Sequence, residues 1–291
     1  MFNKNKIEYF FFRLFNKILR FIGLQKARKL AKFLGTFLYY FIPIRKKTVI
    51  SNLKIAFPEK SLKEIKKIAK KNFQNIFITF VELMLIPFLK LDEIKSQVWF
   101  DNLDLISNKI KNGKGLIILT GHFGNWEILI SSIVAYINAN YHVLVKPQRN
   151  QYITEWLKRT RSIGNTNVIP VGVSVKEIIK ALKSGEVVLI AGDQRGPIDG
   201  ARFNFFNHQT ALYTGTASIA LKTNCNIILV ACVRQPDYKY IIHVEELNFE
   251  NLPDEIEKRP IELTQRYISF LEKYIRLNPE QYFWMHKIWK Y

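Results

Sequence analysis

The apolar and polar positions of this chain follow one rhythm up to about residue 115 and another after it. In the first part the apolar residues recur at helical spacing. Leu62, Ile65, Ile68 and Ala69 share one face, and Phe73, Ile76, Phe77, Phe80 and Met84 continue it to Pro87. Pro58 marks a turn before them, and Ser61 followed by Glu64 forms a capping box, so a helix is predicted to start there. From residue 115 on, short apolar runs alternate with helical stretches. GLIILT, YHVLVK, VVLIAG and IILVACV read as buried strands; residues 125–137, 174–184, 213–222 and 261–275 read as helices. That alternation predicts the α/β class, with a mixed, largely parallel sheet flanked by helices.

The N-terminal segment has its own character. Residues 1–49 carry twelve Lys/Arg and one acid, Glu8. In IEYFFFRLFNKILRFIGL, Lys6, Arg13, Lys17 and Arg20 fall along one helical face, with Phe, Leu and Ile around the rest. A second run, QKARKLAKFLGTFLYYFI, starts basic and ends aromatic. Basic amphipathic helices with bulky apolar faces lie in the membrane interface; a pair of surface helices packed on the domain would show the same pattern. The stretch nearest to a spanning helix, Phe33–Ile44, is closed by Pro43 and is too short to span a bilayer. The expected organisation is therefore a membrane-associating helical part over residues 1–45 and an α/β part over residues 46–291, folding as one unit.

Composition narrows the partners. The chain has 291 residues, 48% of them hydrophobic, and a formal net charge of +20. A charge of that size points to nucleic acid, anionic lipid or an acidic protein. Nucleic acid is disfavoured, because the chain has no zinc-finger spacing, basic-region heptads or RNP-like string. Cys225 and Cys232 lie seven apart in an expected strand, which suits neither a metal framework nor a redox pair.

The candidate chemistry is in Thr120–Ile128, TGHFGNWEI. The strand GLIILT ends at Thr120, Gly121 and Gly124 permit a tight turn, and a helix follows. Sites in open α/β sheets gather at the carboxyl ends of strands. His122 would sit there, near the positive end of a helix, which disfavours its charged form. With the histidine in the turn and Glu127 one turn into the helix, the carboxylate can hold the ring nitrogen that does not react. GxSxG is absent, so the pair reads as a general base acting on a hydroxyl of the substrate. An H-x4-E pair alone also fits a packed core histidine. His208, His142, His243 and His286 read as structural.

These residues resemble the bacterial lipid A late acyltransferases, the lauroyl and myristoyl transferases, within the wider H-x4-D/E glycerolipid acyltransferases. GHFGNWE carries the resemblance, with NLKIAFPE, VKPQRN, RTRSIG, AGDQRG, FNFFN, TGTASIALKTNC and PEQYFWMHKIWK in family order, from about residue 45 to the C-terminus. The resemblance implies an enzyme of the bacterial inner membrane, on its cytoplasmic face. It implies transfer of an acyl chain from acyl carrier protein to a hydroxyl of a glycolipid, usually a lipid A precursor, without metal or cofactor. By position, His122 would be the base and Glu127 its partner. Lys146, Arg149, Arg159 or Arg161, Asp193 and Arg195 would bind substrate or its phosphates. Many relatives have arginine where Lys146 stands, and lysine is a point charge rather than a planar fork. A different glycolipid or a lysophospholipid is the alternative acceptor, although no FPEGTR-like string is present.

Overall fold

The computed structural model describes residues 3–42, 44–170 and 175–290. Pro43, expected to close the apolar run, and residue 174, expected to open a helix, lie outside these. The helical part comprises α1 (Lys4–Phe41), α2 (Lys46–Ala56), α3 (Leu62–Leu85) and α4 (Leu91–Gln97). The α/β part follows as β1 (Val98–Phe100), α5 (Leu103–Lys111), β2 (Leu116–Thr120), α6 (Trp126–Tyr136), β3 (Tyr141–Val145), α7 (Gln151–Arg161), β4 (Thr166–Pro170), α8 (Val175–Lys183) and β5 (Val187–Ala191). It continues with a β6–β7 hairpin (Arg202–Phe205, His208–Ala211), α9 (Gly215–Thr223), β8 (Asn226–Arg234), β9 (Tyr240–Glu246) and α10 (Arg259–Leu277).

The strands form a seven-stranded sheet in the order β1-β9-β8-β2-β5-β3-β4. All neighbours pair parallel except β8 and β9, which makes the sheet mixed and largely parallel, as expected. Each central strand is apolar on both faces because helices cover both. Leu116, Ile118, Leu189, Ile228 and Val230 face α5 and α6; Ile117, Leu119, Val188, Ile227 and Leu229 face α8 and α10. This is the two-residue alternation of a pleated strand. Cys225 and Cys232 are buried and unpaired.

The capping box at Ser61 and Glu64 forms as predicted, and α3 runs on to a 3-10 turn over Ile86–Phe88. Helix α1 lies along α3. It bends at Gly23, whose positive φ of 76° suits glycine. Leu19, Ala27 and Ala31 of α1 pack with Ile78, Val81 and Met84 of α3 and with Trp156 of α7. The opposite face of α1 is apolar and exposed: Phe10, Phe11, Leu14, Ile18 and Phe21 before the bend, and Phe33, Phe37, Tyr40 and Phe41 after it, with Phe21 at 92% exposure. No described helix is long and apolar enough to cross a membrane.

Candidate active site

The turn between β2 and α6 passes across the end of β8, and only glycine fits there. Gly124 has a φ of 59°, and a Cβ on it would overlap the carbonyl oxygen of Cys232. Three hydrogen bonds fix the turn: Gly124 N–H to the Gln281 carbonyl (2.9 Å), Thr79 Oγ1 to the Gly124 carbonyl (3.0 Å), and Phe283 N–H to the His122 carbonyl (2.9 Å). Asn125 then caps α6, its Oδ1 accepting from the amides of Glu127 and Ile128 at 3.0 Å each. Gly124→Ala is expected to cost about 3 kcal/mol or more, from overpacking and the positive φ together. The midpoint of urea unfolding would report it, and an unchanged midpoint would show that the turn can move away.

His122 stands in this turn with 16% of its side chain exposed, and its partner is Asp193. Strands β2 and β5 are neighbours, with Thr120 level with Ala191, so the first residues beyond them meet. Asp193 Oδ1 lies 2.7 Å from His122 Nδ1, and its Oδ2 accepts the His122 backbone N–H at 2.9 Å. An ionised carboxylate only accepts, so Nδ1 carries the proton and Nε2 is left as the acceptor. Burial opposes a charged His122, but the Asp193 carboxylate outweighs it and raises the imidazole above its ordinary pKa. Burial likewise opposes an ionised Asp193, and the His122 charge and hydrogen bonds hold its carboxyl below the usual range. The expectation that a helix terminus would keep His122 neutral is therefore corrected: a buried carboxylate in contact dominates a partial charge at the helix end.

Glu127 does not hold the imidazole. Its side chain, 5% exposed, accepts from Arg161 Nε at 2.9 Å and Nη2 at 2.5 Å, and from Trp126 Nε1 at 3.1 Å. The physical reason is that Arg161, at the end of α7, offers Glu127 a planar two-pronged donor. Burial opposes the Arg161 cation, but Glu127 stabilises it and raises its pKa further.

His122, Trp126, Glu127, Lys146, Arg161 and Gln194 line one cavity of about 600 Å³, with β2, β3 and β5 forming its floor. Here the comparison with known proteins decides the family. The sequence model of the bacterial lipid A biosynthesis acyltransferases matches residues 4–291. The chain belongs to this family. It is 27% identical over 261 residues to the lipid A biosynthesis palmitoleoyltransferase of Escherichia coli (strain K12), covering 86% of this chain and 80% of that protein. It is 26% identical over 269 residues to the lipid A biosynthesis lauroyltransferase of the same organism, covering 88% and 83%.

In this family member the other sequence-predicted residues divide. Lys146, just beyond β3, and Arg161 line the cavity. Arg149 lies outside its lining and pairs with Glu8 of α1 at 2.9 Å, and Arg159 is exposed outside it as well. Asp193, expected to bind substrate, is turned inward onto His122 with 1% of its side chain exposed, which leaves no free edge for a substrate. Arg195 donates to the Lys287 carbonyl at 3.1 Å, beside the C-terminal block. That block also brings His286, read as structural from sequence, to 5.4 Å between ring centroids from His122. Burial, with the charges of His122, Arg45 and Arg195, pushes the pKa of His286 down despite Asp193. His142 and His243 are each paired with a carboxylate, Glu186 and Asp101. His208 packs against Trp289.

Proposed function

We propose that this acyltransferase moves a fatty acyl chain from acyl carrier protein to a hydroxyl of a lipid A precursor at an anionic membrane surface. The observation that carries the reading is the His122–Asp193 pair at the carboxyl ends of adjacent strands, with His122 in the wall of a cavity that also holds Arg161 and Lys146. Asp193 fixes the tautomer of His122 and stabilises it once charged. Nε2 accepts the proton of the substrate hydroxyl as that oxygen attacks the thioester carbonyl. The tetrahedral oxyanion is met by positive charge from Lys146 and Arg161. As the carbon–sulfur bond breaks, His122 returns the proton to the thiolate. Glu127 acts through Arg161, whose guanidinium it holds at the cavity wall.

An apolar cavity of about 300 Å³ lies between α1 and α3, lined by residues including Phe15, Phe73, Phe77, Phe80 and Phe283. Phe283 also stands 6.2 Å from His122, ring to ring. This supports a place for the acyl chain beside the reacting carbon, where each buried methylene contributes about 0.8 kcal/mol.

The two exposed apolar stripes of α1, flanked by lysines and arginines, support docking on lipid without spanning it. Each basic residue near an anionic surface contributes about 1 kcal/mol. Binding to anionic vesicles is expected to fall steeply between about 0.05 and 0.5 M salt as screening shortens. Retention independent of salt would mean that insertion, not surface charge, holds the protein. The transfer reading is tested with acyl carrier protein thioesters of mixed chain length and a Kdo-bearing tetra-acylated lipid A precursor, weighing the product. One added chain supports the reading. Acylation of some other lipid in its place would move the acceptor to another glycolipid or a lysophospholipid.

A further inference from the structure

A buried charged network lies behind the catalytic turn, away from the cavity. Its hub is Glu82 of α3, only 1% exposed. Oε1 accepts from Arg28 Nε of α1 at 2.6 Å. Oε2 accepts from Asn125 Nδ2 at 2.7 Å, from Arg234 Nη2 of β8 at 3.1 Å, and from the Tyr240 hydroxyl of β9. Arg234 also donates to Thr79 Oγ1 and Asn75 Oδ1, and its backbone N–H donates to Gln281 Oε1. Thr79, Asn125 and Gln281 are the residues that hold the turn and cap α6 from behind.

This arrangement is a poor way to gain stability. A buried ion pair is often no better than packed apolar side chains. Here two guanidinium groups share one carboxylate, and Arg28 keeps a buried Nη2 without a hydrogen-bond partner among the described residues. What the network supplies is position. Asn125 has one side chain and two tasks: its oxygen caps α6, and its amide nitrogen is fixed by Glu82.

We propose that Glu82 is a positioning residue, which aims the His122–Glu127 segment through Asn125, and that Arg28 makes this hold depend on the seating of the N-terminal helix α1. The proposal rests on the reading of that segment as catalytic. Because α1 also presents the exposed apolar stripes, a lipid surface that seats α1 would stiffen the catalytic turn through one carboxylate.

The test uses the full chain and compares Glu82→Gln, Arg28→Met and Arg28→Lys with the parent protein by hydrogen exchange and kinetics. Glu82→Gln is expected to speed exchange at amides 124–128 about tenfold while β2 amides 116–120 keep their rate. The same variant should lower kcat with the thioester KM unchanged, as expected when alignment rather than binding is lost. Arg28→Met leaves a neutral Glu82–Arg234 pair, so it keeps the fold and should show both effects in smaller measure. Arg28→Lys, which keeps the charge and a donor, should restore both. Unchanged exchange at 124–128 in either folded variant overturns the proposal, and so does an increase spread equally over the sheet. If Glu82→Gln does not fold, Arg28→Met decides. Failure of the parent protein to transfer any acyl group would overturn the catalytic reading instead, since the exchange measurement does not depend on the reaction.

Discussion

Replacing His122 by alanine is expected to reduce acyl transfer by about 10²- to 10⁴-fold, the usual contribution of a positioned general base. The fold should survive, because the backbone N–H of residue 122 still donates to Asp193 in the variant. Circular dichroism and the unfolding midpoint check the fold, and the product mass checks the transfer. Undiminished transfer by a folded His122→Ala protein would remove the mechanism. Asp193→Asn should lose about 10²-fold or more, because an amide can present its N–H to Nδ1 and favour the wrong tautomer. The pH dependence follows from the direction of the His122 shift. The base works only when neutral, and Asp193 raises its pKa above the ordinary 6.5. The rate of the parent protein should therefore fall, on acidification, at a pH above that value. In Asp193→Asn the carboxylate that raised the pKa is gone and burial still lowers it, so the acid limb should move down.

Arg161→Met is expected to destabilise the protein by about 3–5 kcal/mol, the cost of leaving one member of a buried pair without its counter-charge. The exposed fraction of Glu127 is small, so water cannot replace the guanidinium. Glu127→Gln in the same chain removes the orphaned charge, and stability should largely return in the double variant, read by urea unfolding. Transfer should not return with it, because the positive charge at the cavity wall is still missing. If both recover together, the pair serves the fold alone.

The parts of this molecule that were legible in the sequence are those set by local chemistry. The Ser61–Glu64 box starts α3 where expected, and the four apolar runs after residue 115 are strands. The glycine-flanked His122 stands at a strand end, and Gly124 needs its positive φ. Strands β1 and β4 and the β6–β7 hairpin carry no such signal. β1 is three residues long, β4 contains Pro170, and β6 and β7 are four residues each with polar residues among them, so none shows a clean apolar run. The partner of His122 was hidden for a different reason. Asp193 is 71 residues away, and only the adjacency of β2 and β5 brings it there. Glu127, close in sequence, is drawn to Arg161 instead. Nothing in the sequence sets Arg28 and Glu82 apart from the other charges of their helices, and only the crossing of α1 and α3 shows them to be buried.

The hydrogen bonds from Gly124 to Gln281 and from Phe283 to His122 have a consequence for the order of assembly. The sheet strands β2, β3 and β5 all lie before residue 200, yet two of the three hydrogen bonds that fix the turn they carry come from residues 281–283. While those residues are still inside the ribosome, a nascent chain can hold these strands without the two bonds that close the turn over them.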